Sequence, residues 1–231
     1  MGAVAGWYIS PESFQKGYDP GIDDYMVKPG DFSGLLMRVR ALLRRANIEA
    51  SRKLSVDGLL LYGGYPELNG KKLEQNISMR NRIREELKAG MPCMAECGGF
   101  MYLHEELEGM DGRFYQTVGV IPGRAYRTPK LSRFGYVTLT QKKSVFGRED
   151  FGEIPAHEFH YFDSESCGDD FHAAKPESQR GWECIHGSDS MMAGFPHLYY
   201  YGNPEVPRAF LEKCLAYKKQ RSSLRQEDQE E

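Results

Sequence analysis

The sequence lacks several features that would place it in common functional classes. It contains no apolar run of about 18 residues, so no membrane-spanning helix is predicted. It has no charged-then-apolar leader, so we expect no signal peptide. Positive charge is not in excess, since 30 Lys and Arg against 33 Asp and Glu give a net charge of −3. That balance argues against a nucleic-acid-binding protein. We also expect the protein to be cytoplasmic.

Cysteine is also scarce and irregularly placed. The chain of 231 residues has five cysteines, at positions 93, 97, 167, 184 and 214. An odd, scattered set is typical of a reducing compartment. Cys93 and Cys97 do not form a CxxC pair, and no second pair completes a zinc site. We therefore predict no metal and no disulfide framework.

The most informative segment is the run around Cys97. An apolar stretch typical of a strand is followed by one thiol, two glycines and a helix-like pattern. This order is typical of a nucleophile elbow, a tight strand-to-helix turn that pushes the sulfur away from the backbone. Amides at the start of the following helix favour a thiolate and can bind an oxyanion. Cys97 is therefore predicted to be a nucleophile. The alternative is a core cysteine beside a glycine turn.

From Leu54 onward, strand and helix signals alternate. Strands at 58–62 and 91–95 are followed by helical patterns at 73–88 and 99–107. This alternation predicts an α/β fold built on a mostly parallel sheet with helices on both faces. Later elements are predicted as strands at 118–122, 135–140, 156–161 and 192–200, a helix at 207–219, and a disordered charged tail at 220–231.

A cysteine nucleophile requires a base within hydrogen-bond reach. His197 ends a late apolar strand, and catalytic groups gather at the carboxyl ends of parallel strands, so His197 is the predicted base. His104 is predicted on the surface of the helix after the elbow. His172 and His186 are predicted in solvated loops. His157 and His160 lie three apart on one strand and should point to opposite faces.

A second glycine pair follows the strand at 58–62, just as the elbow follows the next strand. The backbone N–H of Gly64, together with that of Gly98, is predicted to form an oxyanion hole. The alternative is an ordinary tight strand–helix turn. The pairing with a cysteine elbow one βα unit later favours the oxyanion hole.

Several motifs, in order, resemble the glutamine amidotransferase domain of cobyrinic acid a,c-diamide synthase. They are Tyr-Gly-Gly-Tyr-Pro-Glu-Leu at 62–68, Ala-Glu-Cys-Gly-Gly-Phe-Met-Tyr-Leu at 95–103 and Pro-Ala-His-Glu-Phe-His-Tyr at 155–161. The stretches 119–126 and 134–136 add to the resemblance, which runs from about 56 to 218. Glu96 before the cysteine favours the a,c-diamide type over the related cobyric acid synthase.

The resemblance implies a class I, flavodoxin-like amidotransferase domain at 54–219 that hydrolyses L-glutamine and belongs to a C–N ligase of cobalamin biosynthesis. Cys97 would attack the glutamine amide, His197 would transfer protons, and Gly64 and Gly98 would bind the oxyanion. Relatives often carry a glutamate two residues after the histidine, where this chain has Tyr199. Either a Cys–His dyad suffices, or another acid such as Glu158 orients the imidazole.

In the family, ammonia passes to an ATP-dependent synthetase domain that amidates the a and c carboxylates of a corrin. A stretch of basic residues could bind this polycarboxylate substrate. The alternative is a solvated basic loop. The residues are Arg124, Arg127, Lys130 and Arg133. No GxxxxGK[ST] run occurs, so no cofactor is predicted in this chain. ATP and Mg²⁺ are expected only on the synthetase half, which would be a separate subunit.

The N-terminal part departs from the family. Residues 16–45 resemble the last strand and helix of a response-regulator receiver domain, so 1–50 is predicted to be a receiver-like fragment before an N-terminally truncated amidotransferase domain. Two alternatives to the corrin function stay open. One is an amidotransferase for another tetrapyrrole, such as nickel-sirohydrochlorin. The other is an inactive fusion remnant that acts only as a binding module.

Overall fold

A computed structural model describes residues 56–131 and 133–230. The predicted receiver-like fragment, and the predicted loss of strands before Gly58, lie outside these residues. The helices are α1 (Gly70–Gln75), α2 (Ile77–Lys88), α3 (Gly98–Tyr102) and α4 (Glu205–Glu230), with a 3₁₀ turn at Pro66–Asn69. None of the described helices is long and apolar enough to cross a membrane.

The first sheet carries the predicted elbow and has the order β1-β2-β12-β11. Its strands are β1 (Leu59–Leu61), β2 (Cys93–Glu96), β12 (Met191–Gly194) and β11 (His186–Gly187). β1, β2 and β12 run parallel, whereas β11 is antiparallel to β12. All four residues of β2 are buried, as expected for a central parallel strand covered on both sides.

The second sheet is antiparallel throughout, with the order β10-β9-β6-β7-β13. Its strands are β10 (Gly181–Cys184), β9 (Phe171–Ala174), β6 (Arg133–Gln141), β7 (Ile154–His160) and β13 (His197–Leu198). One face packs on a core that includes Leu139, Ile154 and Phe171. The other face is open to solvent, the usual arrangement for an antiparallel sheet.

The third sheet has the order β4-β3-β5-β8. Its strands are β3 (His104–Glu108), β4 (Phe114–Gln116), β5 (Ile121–Arg127) and β8 (Phe162–Ser164). Only β3 and β5 are parallel; the other pairings are antiparallel. A second core joins this sheet to the first through Phe100, Leu103 and Phe195.

The predicted α/β class is confirmed, and its parallel part contains the strand that enters the elbow. Apart from this part and the parallel pair of β3 and β5, the other pairs are antiparallel, and the described residues between 104 and 198 contain no helix to build further parallel crossovers. The helix predicted at 99–107 was wrong beyond Tyr102, since the chain turns at Leu103 and continues as β3.

Two other sequence predictions differ from the structure. The helix predicted at 73–88 is divided at Asn76, whose side chain accepts a hydrogen bond from the Met79 amide and begins α2. The final helix does not end near Lys219 but extends to Glu230, through the segment assigned to a disordered tail. That segment contains no glycine or proline and is rich in good helix formers.

Candidate active site

The three parallel strands end at one edge of the first sheet, and the predicted site residues follow those ends. β1 leads into Gly63 and Gly64, β2 into Cys97, and β12 into the turn before His197. Carboxyl ends of neighbouring parallel strands form the usual crevice for a site in such a sheet. Segments far apart in the sequence are thereby brought together.

Cys97 occupies a sharp turn between β2 and α3. Its φ of 48° and ψ of −107° lie outside the regions that side chains other than glycine favour, a strain typical of functional turns. Its amide donates to the Gly194 carbonyl at 2.9 Å, and its carbonyl accepts from the Met101 amide at 2.9 Å. These bonds fix the turn, and the thiol is partly exposed.

Glycines surround this turn because side chains would not fit. A Cβ on Gly98 would lie 2.5 Å from the Gly64 carbonyl oxygen and 2.8 Å from the Gly64 nitrogen. A Cβ on Gly99 would collide with the Leu61 carbonyl, and one on Gly63 would lie 2.6 Å from His197 Cε1. The two glycines predicted to form the oxyanion hole are therefore neighbours, and Gly63 packs against the imidazole.

His197 lies next to the Cys97 side chain, close enough for the two groups to interact. Its Nδ1 lies 3.4 Å from Glu96 Oε2. Burial lowers the pKa of His197, but the hydrogen bonds and charges of Cys97 and Glu96 raise it by more, to about 9. The imidazole therefore carries a proton at neutral pH.

Glu96 was missed as a site residue by sequence reasoning, which used it only to choose between related enzyme types. Its side chain is buried, and Oε1 accepts a hydrogen bond from the Tyr200 hydroxyl. A signal was present in the sequence, namely an ionisable residue inside an otherwise apolar buried strand directly before the nucleophile. Such a residue needs a partner, because an unpaired buried charge is costly.

Glu158 does not contact His197, contrary to the suggestion that it orients the imidazole. Its carboxylate accepts from His160 Nε2 at 2.8 Å and from Trp182 Nε1 at 3.0 Å. His197 pairs with His157 across β13 and β7, so it faces the same side of the sheet as His157. Glu158, one residue later on β7, points to the opposite, buried side.

The remaining histidines are also placed by the fold. His157 and His160 occupy opposite faces of β7, as predicted from their spacing. His104 is fully buried on β3, not on a helix surface, and its Nε2 lies 2.6 Å from Ser164 Oγ. His172 and His186 lie on β9 and β11 instead of in loops, because their segments pair as strands.

The basic stretch does not converge on one spot. Arg124 donates to Glu106 at 2.6 Å and lies over the Phe114 ring. Arg133 is half-buried, with its guanidinium over the Trp182 ring. Arg127 and Lys130 are exposed. Within the described residues, no group of three His, Cys, Asp or Glu side chains is arranged to hold a metal ion.

Comparison with known proteins gives a consistent result. The chain is 35% identical over 165 residues to cobyrinate a,c-diamide synthase of Caldanaerobacter subterraneus, covering 70% of this chain and 36% of the relative. It is 36% identical over 162 residues to the Fusobacterium nucleatum enzyme of that name, covering 68% and 35%. The chain thus spans about a third of the length of these curated relatives.

A solved structure titled as a glutamine amidotransferase superposes with a TM-score of 0.48 at 18% identity, covering 80% of this chain and 94% of the other. The model of the CobB/CobQ-like glutamine amidotransferase domain matches residues 18–201. That match includes most of the segment predicted to be receiver-like and gives the receiver interpretation no support. The chain belongs to the CobB/CobQ-like glutamine amidotransferase domain family.

Proposed function

We propose that this chain hydrolyses the side-chain amide of L-glutamine, with Cys97 as nucleophile and His197 as acid and base. The observation that carries the proposal is that Cys97, partly exposed at a strained elbow, lies beside the His197 imidazole, whose pKa is raised. Membership of a glutamine amidotransferase family supports the same reaction. A cysteine–histidine pair of this kind is suited to acyl transfer.

The reaction begins with attack of the Cys97 thiolate on the amide carbon. The oxygen becomes negatively charged and is bound by the backbone N–H groups of Gly64 and Gly98. Protonated His197 gives its proton to the amide nitrogen, the C–N bond breaks, and ammonia leaves a glutamyl thioester. Neutral His197 then takes a proton from water, which attacks the thioester. Breakage of the C–S bond releases glutamate and restores the thiolate beside an imidazolium.

We further propose that the ammonia serves ATP-dependent amidation of the a and c carboxylates of a corrin. The support is the name of the curated relatives, cobyrinate a,c-diamide synthase. ATP and Mg²⁺ would be held by the synthetase half, since the sequence of this chain has no P-loop motif. We also propose that the chain is cytoplasmic, in keeping with a role in cobalamin biosynthesis.

The partner in this scheme is a separate synthetase half, and an exposed surface next to the site is suited to it. We define the aromatic face as Phe134, Tyr136, Phe159 and Tyr161, all at least half exposed on the open side of β6 and β7. Tyr136 pairs across the strands with His157, which in turn pairs with His197. Exposed apolar patches of this kind are typical of protein interfaces.

Replacing the nucleophile tests the reaction directly. We expect Cys97→Ala to lower glutamine hydrolysis by about 10³-fold or more, because the thioester cannot form. Cys167→Ala is a matched control, since Cys167 is also partly exposed but its thiol contacts Asp163 and Arg133 instead of a site histidine. Ammonia release from glutamine is the measurement. Equal activity of Cys97→Ala and wild type would reject the proposal.

A further inference from the structure

Both oxygens of the Glu96 carboxylate are engaged. Oε2 lies 3.4 Å from His197 Nδ1, and Oε1 accepts from the Tyr200 hydroxyl. The carboxylate is almost wholly shielded from solvent. It comes directly before the nucleophile, so the backbone that sets the elbow also sets the position of this acid.

Tyr200 is itself held by a second tyrosine. The rings of Tyr62 and Tyr200 contact each other edge to face, with centroids 6.2 Å apart at an interplanar angle of 61°. Burial and the charge of Glu96 raise the pKa of Tyr200. The phenol therefore stays protonated as a donor.

We propose that Glu96 is the positioning carboxylate of this site and that Tyr200, supported by Tyr62, holds it against His197. The catalytic consequence rests on the proposed glutamine hydrolysis, whereas the arrangement itself does not. Because Nδ1 of His197 interacts with Glu96, the imidazole is oriented with Nε2 toward the Cys97 thiol. A carboxylate that binds one ring nitrogen of a histidine usually orients the other nitrogen in this way. Glu96 thus supplies the acid that relatives often carry two residues after the histidine, where this chain has Tyr199.

The charged groups that face His197 agree with this role. Cys97 and Glu96 raise the pKa of His197. His157 lies directly opposite, and burial together with the charges of His197 and Lys175 lowers its own pKa. A neutral His157 does not oppose the proton on His197. Among the described residues, Glu96 is the carboxylate within 4 Å of the imidazole.

Alkylation of Cys97 by iodoacetamide in the full chain tests the proposal without requiring glutamine. Glu96→Gln keeps the shape but removes the charge, so we expect slower labelling near neutral pH, by about tenfold for each unit that the pKa of His197 falls. The labelling curve moves to higher pH. For glutamine hydrolysis we expect kcat to fall about 10- to 100-fold, with little change in KM.

Tyr200→Phe removes one hydroxyl and keeps the ring, so it provides a milder variant. We expect a smaller shift of the labelling curve in the same direction. Tyr201→Phe is the control, because Tyr201 is 85% exposed, and its curve should match wild type. If circular dichroism shows that Glu96→Gln does not fold, the comparison of Tyr200→Phe with Tyr201→Phe tests the positioning role instead.

A wild-type labelling curve and wild-type kcat in a folded Glu96→Gln variant would overturn the proposal. So would a Tyr200→Phe curve that coincides with that of Tyr201→Phe. The proposed glutamine hydrolysis and the proposed positioning role of Glu96 can be rejected independently of each other. Wild-type protein that releases no ammonia from glutamine, yet loses Cys97 labelling in Glu96→Gln, rejects glutamine hydrolysis and supports the positioning role.

Discussion

At the scale of single residues, Cys97 differs from the other cysteines in what surrounds its sulfur. Burial raises the pKa of Cys93 to about 12 and of Cys214 to about 11. Burial likewise raises the pKa of Cys167 and Cys184. These four thiols are therefore protonated near neutral pH, whereas Cys97 lies beside a protonated imidazole. The chemistry that distinguishes it comes from a neighbour 100 residues away in the sequence.

The pKa of His197 predicts how activity depends on pH. Cleavage of the amide needs the imidazolium, which is populated below a pKa of about 9 and lost above it. We expect kcat/KM for glutamine to decline as pH rises through about 9, because no proton is then available for the leaving ammonia. Initial rates across the alkaline range measure this. A decline centred near pH about 6.5, the value for ordinary histidine, would contradict the arrangement at the site.

We predict that Gly98 and Gly64, the two neighbouring glycines at the elbow, differ in how well they tolerate substitution. Gly98→Ala places a methyl group 2.5 Å from the Gly64 carbonyl oxygen, and backbone cannot move aside cheaply. We expect a loss of about 1–3 kcal/mol in the free energy of unfolding, together with loss of activity. At Gly64 a Cβ would meet nothing within 4 Å, so Gly64→Ala should stay within about 0.5 kcal/mol of wild type. Urea unfolding measures both, and equal losses would refute the packing argument.

At the scale of elements, β7 separates the catalytic side of its sheet from the core. Alternation along the strand places His157 toward the site and both Glu158 and His160 in the interior. His160 Nδ1 lies 2.6 Å from the Phe162 carbonyl, and its ring stacks on Phe195 at 4.0 Å. The pair of Glu158 and His160 therefore links β7 to the segment that carries His197, without touching the reacting groups.

Removal of Glu158 tests that structural role. Glu158→Ala leaves the buried His160 and Trp182 donors without their acceptor. We expect a loss of about 3–5 kcal/mol in the free energy of unfolding. Glu153→Ala, at an exposed position before the same strand, should change it little. Urea unfolding is the measurement. If Glu158→Ala kept full stability but shifted the labelling curve of Cys97, Glu158 and not Glu96 would act on the imidazole.

The strands and helices differ in how well the sequence predicts them. The strand entering the elbow and the glycines after it follow from local pattern alone. The strand β3 did not, because Leu103 to Glu108 contains residues with good helix propensity. Pairing with β4 and β5 overrides that propensity, and such pairing depends on contacts that are distant in the sequence.

At the scale of the whole molecule, the chain matches only about a third of the length of its curated relatives. If a synthetase half uses the ammonia, as proposed above, the surface that contacts it should be apolar and near the site. The aromatic face meets both conditions. Phe134 and Phe159 have ring centroids 5.6 Å apart, and Phe159 and Tyr161 have centroids 6.1 Å apart.

The proposed docking of a synthetase half on the aromatic face can be tested by substitution. In the double variant Phe134→Ser/Phe159→Ser, we expect affinity for a separately produced synthetase half of a relative to fall about tenfold or more, since exposed aromatic anchors dominate interface energy. Basal glutamine hydrolysis should change little. Leu211→Ser is the control, because Leu211 is similarly exposed but lies on α4. Titration calorimetry measures affinity, and equal binding by both variants would place the contact elsewhere.

The elbow, its glycines and the histidine near a strand end could be predicted from the sequence, because each depends on a short pattern with its own steric requirement. The acid that lies beside the imidazole could not be predicted in this way, because it depends on how distant strands pair. The register of β7 with β13 turns Glu158 into the core, and the parallel ends of β2 and β12 bring Glu96 to His197. Register and strand order are properties of the whole sheet, so no local pattern contains them.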